Sequence, residues 1–452
     1  GNKKNLNFKK GILLETELTA RSVSVDLLIE FDDQKIIDYS KANELETFER
    51  AQVREYVQNI LRKRSYLDFV LGEFSSIKME DMKAPLKNIL RLGLYEMLFM
   101  DSTPDYAAIN ESVEAAKLRL GHKSGDLVNA ILRNIQRDLE DLPKPAFEDR
   151  TKLIATTFSH PEWMVARWVE RFGERDAFQL MQANNQRPNY YVRVNNLRTK
   201  TSNFKLRMEK SDIAFEESDW LPGYFKVETV QPFIAKDWLK RGVCLVQDIA
   251  AGFAPTILEP EPGEDIYDVC AAPGTKSIVI SDMMEGEGSI TAIDISTDRL
   301  QRLAESAMDY NAENIKILRA DARDLTLKLV DGVLLDAPCT GTGVLSKRAD
   351  LRWRRTPEEL EASVKLQEEL LEEAANLVKK GGRLVYSTCS IEPEENWEQI
   401  QKFLGKMDNF ELEKLDEFLP EEVLVEDGFA YQTYPHKHGC DGHFGVRLKR
   451  VK

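Results

Sequence analysis

The spacing of apolar residues changes character along the chain. From Ser22 to about Arg137 they recur at intervals of three and four, as in Val53-Tyr56-Val57-Ile60-Leu61 and Leu86-Ile89-Leu90-Leu94, which is the period of helices that bury one stripe. An all-α unit is predicted there. Residues 138–150, with Pro143 and Pro145 among acidic residues, interrupt the period and predict a linker. Between Tyr190 and Asp248, short β-rich runs (191–194, 224–227, 244–247) alternate with helical ones (204–210, 233–240), the pattern of a small α+β subdomain. From Ile266 onward, strands at 266–269, 289–295, 315–318, 332–335 and 383–386 alternate with helices, which predicts an α/β, doubly wound parallel sheet. One of these helices is well bounded, with Thr356 as N-cap, Pro357 at the first position, Glu359 completing a capping box and Gly381 just past the end. Runs at 429–434 and 444–449 predict an antiparallel pair closing the sheet edge. The expected division is an all-α domain at 1–142, a linker and α+β subdomain at 143–248, and a catalytic domain at 249–452.

A chain of 452 residues exceeds what one hydrophobic core usually serves, in keeping with several domains. No apolar run approaches the roughly 20 residues of a membrane span, and no signal-peptide pattern opens the chain, so a soluble, cytoplasmic protein is expected. The chain begins with Gly1 rather than Met, and its first residues carry no fold argument. Five cysteines without a CxxC pair fit a reducing compartment better than a disulfide framework. The formal charge of -15 argues superficially against nucleic acid, but 13 acidic against 3 basic residues between Glu392 and Asp427 supply an excess of ten, expected as a solvated face. Against that background Lys347, Arg348, Arg352, Arg354 and Arg355 cluster around Trp353. A basic patch with an aromatic suits a nucleic-acid strand.

The candidate chemistry lies at strand ends. Cys339 closes the run Asp336-Ala337-Pro338-Cys339, and Cys389 sits in Ser387-Thr388-Cys389-Ser390. Each directly follows an apolar run, which puts both thiols at the carboxyl edge of an α/β sheet, where ligands bind. The run from Asp268 to Ser277 follows the first strand and opens a helix, and its small residues let a ligand approach the backbone at a helix N-terminus. It has neither GxGxxG nor the Walker pattern, which argues against a dinucleotide enzyme and an ATPase. Asp294 and Asp321 end the next two strands, where carboxylates can meet ribose hydroxyls and an adenine edge. Cys244 and Cys270 read as small core residues. Cys440, among His436, His438 and His443, reads as a strand turn with surface histidines, and no metal is expected.

The run from Asp268 to Ser277, Asp294 with Arg299, Asp321, Asp336-Ala337-Pro338-Cys339-Thr340-Gly341-Thr342-Gly343 and Tyr386-Ser387-Thr388-Cys389-Ser390 together resemble the S-adenosylmethionine-dependent RNA 5-methylcytosine methyltransferases. Leu90-Arg91-Leu92-Gly93-Leu94-Tyr95-Glu96, Ala107-Ala108-Ile109-Asn110-Glu111-Ser112-Val113 and Val128-Asn129-Ala130-Ile131-Leu132-Arg133 look like a NusB-type RNA-binding domain. The combination resembles the bacterial small-subunit ribosomal RNA branch of the family, as do Pro435-His436-Lys437-His438 and Asp441-Gly442-His443-Phe444. Thr275 stands where a second Gly is more usual, and His443 where an aromatic is.

The resemblance implies a Rossmann-like catalytic domain and methyl transfer to C5 of a cytosine in 16S ribosomal RNA, as in the enzymes for cytosine 967. It implies Cys389 as the nucleophile that adds at C6, Cys339 as the group that assists C5 proton removal and release, and Asp336 beside N3 of the base, close to both thiols. S-adenosylmethionine would be held by Cys270, Ala271, Ala272, Pro273, Gly274, Thr275, Lys276, Asp294, Arg299, Asp321 and Asp336, and RNA by Lys347, Arg348, Arg352, Trp353, Arg354 and Arg355. A free thiol is only a few per cent ionised at neutral pH, so Cys389 needs a cation, for which Lys276 or Arg348 is a candidate. A monomer without metal or membrane is expected. The rival readings are a tRNA cytosine-C5 methyltransferase and a non-catalytic NusB-type assembly factor. A DNA cytosine enzyme shares only Pro-Cys, and a protein or small-molecule methyltransferase predicts an Asn-Pro-Pro-Tyr-like motif where Asp336-Ala337-Pro338-Cys339 stands.

Overall fold

The computed structural model describes Lys4–Leu6 and the chain from Glu15 to Lys452, with side chains from Leu18 onward. The expected start of the all-α unit at residue 1 lies outside the described residues. Two compact units emerge: one takes the chain up to Asn185 together with Arg348–Arg354, and the other takes Gln186–Lys347 and Arg355–Lys452.

The first unit is not all-α as expected: Lys4–Leu6 pairs antiparallel with Glu15–Glu17, and the rest is helical, with α1 (Ala20–Gln34), α2 (Thr47–Arg62), α3 (Arg64–Phe74), α4 (Ala84–Phe99), α5 (Asp105–Leu120), α6 (His122–Arg137), α7 (Arg150–Phe158) and α8 (Glu162–Asn185). The stripes read from periodicity are its core: Val53, Tyr56, Val57, Ile60 and Leu61 of α2 and Ile89, Leu90 and Leu94 of α4 are all buried. Helix α4 is buried from Asn88 to Met97 without a break, so its polar residues need partners inside. Arg91 finds them in Asp68 (2.7 Å) and Asp32 (3.1 Å), and Glu96 in Arg21 and the Tyr56 hydroxyl (2.7 Å). Residues 138–150 hold a short 3-10 turn and extended chain before α7.

Arg352 and Trp353, expected to face RNA, pack on the helical core of this unit, Arg352 fully buried and Trp353 half-buried. Arg352 is fully buried and donates to the carbonyl oxygens of Arg62 (3.3 Å), Ser159 (3.0 Å) and Asn184 (3.1 Å) and to Asn185 Oδ1 (2.7 Å). The Trp353 indole donates to the Leu61 carbonyl at 2.6 Å and packs on the helical core. A guanidinium with no exposed surface has none to offer a phosphate, so Arg352 is a structural residue. Burial, with repulsion from Arg62, lowers its pKa to about 9, and burial with repulsion from Arg352 pushes neighbouring His160 well below the ordinary range.

The second unit carries two sheets. The smaller joins β1 (Tyr190–Val194), β2 (Phe215–Glu217), β3 (Tyr224–Val227) and β4 (Cys244–Val246) in the antiparallel order β2-β3-β1-β4. Helix α9 (Thr201–Glu209) covers it with Phe204 and Met208, which pack with Val192, Phe225, Phe233, Trp238 and Cys244. The helix expected at 233–240 is only Gln231–Ala235, and Asp237 at φ 55° turns the chain away.

After α10 (Ile249–Leu258) the expected α/β series follows: β5 (Asp265–Val269), α11 (Thr275–Met283), β6 (Ser289–Asp294), α12 (Thr297–Asp309), β7 (Ile315–Arg319), β8 (Val330–Asp336), α13 (Pro357–Asn376), β9 (Val378–Thr388), α14 (Trp397–Lys406), β10 (Phe410–Glu413), β11 (Leu424–Val425), β12 (Ala430–Gln432) and β13 (Phe444–Arg450). The sheet order is β11-β12-β13-β9-β8-β5-β6-β7, with β10 also on β13. Strands β9, β8, β5, β6 and β7 run parallel, whereas β13 is antiparallel to β9, β10 and β12. Alternation sends Val333, Leu335, Leu384 and Tyr386 to one packed face and Leu334 and Val385 to the other, so the central strands are apolar on both sides. Thr356 caps α13 by accepting from Glu359 N. Gly381 does not end that helix: it lies inside β9 at φ 79°, where the β8–β9 register slips between the Val330–Val378 and Gly332–Arg383 pairs. No described helix is long and apolar enough to cross a membrane.

Asp268 of β5 is fully buried; its Oδ2 accepts from Ser277 Oγ at 2.5 Å, and its Oδ1 meets no donor. Burial pushes its carboxyl up to about 7, the Ser277 hydrogen bond opposing.

Two outcomes follow from these packing arrangements. Arg352→Leu leaves three buried carbonyls and an amide oxygen without donors, and should destabilise the first unit by about 3 kcal/mol in denaturant unfolding. Because the folded state holds the Asp268 proton more tightly than the unfolded chain, its contribution to stability is full below about pH 4 and is lost as pH rises towards 7. Asp268→Asn should therefore flatten the dependence of Tm on pH across that window, and an unchanged slope would refute the assignment.

Candidate active site

Strand β5 delivers a turn rather than a bare helix start. Cys270, at φ 62°, turns the chain so that Ala271 N reaches the Ile293 carbonyl (3.0 Å) and Ala272 N reaches Asp294 Oδ2 (3.2 Å). Asp294 Oδ1 accepts from Ser296 N at 2.9 Å, and Arg299 donates to the Ala272 carbonyl while lying 3.8 Å from Asp294. Gly274 needs its missing side chain, since its φ is 101° and a Cβ would stand 2.3 Å from Leu303 of α12. The residues from Cys270 to Lys276, with Asp294 and Arg299, are thus gathered at the carboxyl ends of β5 and β6. Asp321 follows β7 at the same edge, where hydrogen bonds from Arg323 hold its carboxyl at about 2.

The two cysteines meet because β8 and β9 are parallel neighbours in register. Asp336 pairs with Ser387, and each strand then releases a turn carrying one thiol. Cys339 Sγ lies 3.3 Å from Cys389 Sγ. The Cys389 turn is held by Gly343 N on the Cys389 carbonyl (3.0 Å), and Gly442 N reaches the Gly343 carbonyl (2.8 Å). That approach excludes a side chain at Gly343, whose Cβ would fall 2.0 Å from the Gly442 carbonyl oxygen.

Beside the thiols, Asp336 accepts from Ser387 Oγ (2.9 Å) and from Lys276 Nζ (2.5 Å). Burial works against the Lys276 cation, but Asp336, assisted by the Cys389 and Asp268 charges, outweighs it, so its pKa is raised and the ammonium stays charged. Lys276 is thus ion-paired to Asp336, with Cys389 among the groups that favour its charge. Arg348, the other expected activator, pairs with Asp350 in the first unit. The hydrogen bond to Cys389, burial, and the Cys389 and Glu395 charges raise the Cys339 pKa well above the ordinary thiol range. Cys244 and Cys270 are pushed up to about 12, chiefly by burial, the state of inert thiols.

The rest of the basic cluster has partners. Lys347 bridges Asp248 (2.6 Å) and Asp441 (2.8 Å), Arg354 approaches Asp350 (3.4 Å), and Arg355 donates to the carbonyls of Thr340 (2.7 Å) and Cys339 (3.3 Å). His443 is buried rather than on the surface; burial and the Lys276 charge lower its pKa to about 4. Among the described residues no three His, Cys, Asp or Glu side chains form a metal-holding group.

The acidic stretch from Glu392 to Asp427 is not uniformly solvated, because Glu392 and Glu395 are buried. Glu395 accepts from Thr340 N (2.8 Å), Thr340 Oγ1 (2.5 Å) and Gln367 Nε2 (3.0 Å). No local signal separates it from Glu394, since only the packing of α13 and the Cys339 turn encloses it.

Comparison with known proteins agrees with this architecture. Residues 255–449 match the family model for 16S rRNA methyltransferase RsmB/F, residues 18–137 the NusB family, and residues 160–233 the ferredoxin-like domain of RsmF/B-like methyltransferases. A probable ribosomal RNA small subunit methyltransferase B of Bacillus subtilis is 33% identical over 448 residues, covering 96% of this chain and 99% of that protein. The ribosomal RNA small subunit methyltransferase B of Vibrio cholerae is 32% identical over 86% of this chain and 90% of its own length. The crystal structure of PH0851 superposes with a TM-score of 0.81 at 26% identity, over 96% of this chain and all (100%) of that one. With a NusB-like domain, a ferredoxin-like subdomain and a Rossmann-like methyltransferase domain that matches near-full-length relatives, the chain belongs to the RsmB/F family of 16S rRNA methyltransferases.

Proposed function

We propose that this protein methylates C5 of a cytosine in 16S ribosomal RNA, at the position equivalent to cytosine 967, through a covalent bond between Cys389 and C6 of the base. The observation that carries this reading is the pair of thiols 3.3 Å apart at the ends of adjacent parallel strands, beside the Lys276–Asp336 ion pair.

The cofactor edge fits S-adenosylmethionine in its donor set. Backbone amides open at the start of α11, small residues line the turn from Cys270 to Gly274, and the carboxylate of Asp294 ends the next strand while that of Asp321 follows the one after. Bound there by these groups, S-adenosylmethionine supplies an electrophilic methyl group.

Cytosine C5 is a weak nucleophile, and covalent catalysis overcomes this by splitting the reaction into two steps. Cys389 attacks C6 as the thiolate; the C5–C6 π pair moves to C5, and the charge developing toward N3 is met by a proton on N3 whose N–H donates to Asp336, held by Ser387 and Lys276. C5 would then bond the methyl carbon, whose bond to the cofactor sulfur breaks with its electron pair left on that sulfur, and would keep its original hydrogen. Cys339 takes that hydrogen as a proton, the C5–H pair restores the double bond, and the C6–S pair returns to Cys389. The electrostatics order these events. While Cys389 is free, its hydrogen bond is the first cause of the raised Cys339 pKa. Bonding of Cys389 to C6 removes that cause, which eases loss of the Cys339 proton to solvent water before a base is required, against the burial and the Glu395 charge that remain. Extracting the cytosine from its stack costs a few kcal/mol, and the NusB-like domain supplies further RNA grip.

Cys389→Ala should abolish methyl transfer, whereas Cys339→Ala should still attack and then stall. With 16S rRNA and S-adenosylmethionine, a denaturing gel should show an RNA-linked band for Cys339→Ala alone. Full turnover by either variant would refute the two-cysteine chemistry, and absence of both adduct and methyl transfer with wild type would favour an RNA-binding assembly factor. Mapping 5-methylcytosine in 16S rRNA and tRNA from cells lacking the protein should show one missing mark in 16S rRNA; a mark lost from tRNA instead would move the target.

A further inference from the structure

The turn that carries Cys339 is held more firmly than a surface loop requires. Such turns usually satisfy their backbone with water or local hydrogen bonds. Here Pro338, Cys339 and Thr340 each give a backbone polar group to a side chain from elsewhere. Gln367 of α13 donates to the Pro338 carbonyl at 2.9 Å, and Arg355 donates to the carbonyls of Cys339 and Thr340. Glu395 takes both donors of Thr340, its N–H and its hydroxyl, and is steadied in turn by Gln367. The Tyr386 hydroxyl fixes the Glu395 main-chain carbonyl at 2.7 Å. Burying a carboxylate is costly, and only a complete set of hydrogen bonds offsets that cost. Burying one merely to shape a turn is therefore an expensive arrangement, and the turn's one chemical group is Cys339.

The two halves of the proposed reaction use this turn differently. Attack at C6 needs Cys389, which leaves β9 on its own turn. Release needs Cys339 Sγ near the base after Cys389 has been taken up in a bond and can no longer hold its partner by the sulfur–sulfur hydrogen bond. At that stage the Cys339 side chain depends on its backbone anchors alone. We propose that Glu395 is the positioning residue for the release half of the reaction, holding the Cys339 turn through Thr340 while Cys389 is bonded to the base. This inference rests on the cytosine-C5 reading above.

Glu395→Gln tests it with little change in volume: the amide keeps one acceptor but must aim an NH₂ group at a site that offers donors. Thr340→Val removes only the hydroxyl. Full-length wild type and both variants would be mixed with 16S rRNA and S-adenosylmethionine and quenched over time onto denaturing gels. In Glu395→Gln, adduct formation should stay within about twofold of wild type while turnover falls roughly ten- to a hundredfold and adduct accumulates, the scale expected for misplacing a reacting group. Thr340→Val should shift in the same direction by less. A protein that had merely lost its fold would form no adduct. Wild-type release in Glu395→Gln, or loss of adduct formation in both variants, would overturn the proposal. Failure of the underlying reading is distinguishable, because wild type would then make no 5-methylcytosine or Cys389→Ala would remain active.

Discussion

Parallel pairing of β8 with β9 is the constraint on which the site depends. The two strands share one register from Gly332–Arg383 to Asp336–Ser387, and their side chains fill both faces of a sheet packed on each side. Because both faces are packed, a slip of one residue would set Val333, Leu334 and Leu335 against the wrong neighbours rather than expose them, so close packing fixes the register. The same register brings both turns to one height, and Gln367, Arg355 and Glu395 hold the Cys339 turn there. The slip at Gly381 lies at the far end of β9, where it disturbs no functional residue.

Around the thiols the interior is buried and charged, and each charge meets an opposite charge or a set of hydrogen-bond donors. Lys276 remains an ammonium because Asp336 lies against it, and Asp336 is oriented by Ser387. Glu395 is enclosed by hydroxyl, amide and backbone donors. Lys347 is shared by Asp248 and Asp441, whose carboxyl burial pushes up to about 7. In a medium of low effective dielectric such groups act strongly and reorganise little, which is the condition for stabilising charge that appears only during reaction.

The first unit follows the same logic for stability. Its central helix α4 carries Arg91 and Glu96 into the core, each met by opposite charge. Arg352 meets carbonyl oxygens instead, its two terminal nitrogens solvated by the fold's own backbone while Nε is left without an acceptor. It arrives on Arg348–Arg354, a segment that belongs in sequence between strands of the catalytic domain.

Much of this was legible in the sequence because burial imposes periods. The three-and-four spacing of Val53 to Leu61 predicts a buried stripe, and the alternation after Ile266 predicts a parallel sheet whose carboxyl edge carries Asp294, Asp336, Cys339 and Cys389. These are local consequences of chain geometry, readable wherever one face of an element excludes water. What escaped depends on which distant segments enclose a residue. Arg352 reads as part of a basic surface patch and is buried, Trp353 of the same patch is half-buried against the helical core, Glu395 reads as one more acid in a solvated run and is enclosed behind Cys339, and His443 reads as exposed and is buried. The sequence determined the elements, their order and the strand ends that bear the chemistry. Only the tertiary structure decided which charges lost their water, because desolvation belongs to the packed assembly of elements and has no period along the chain.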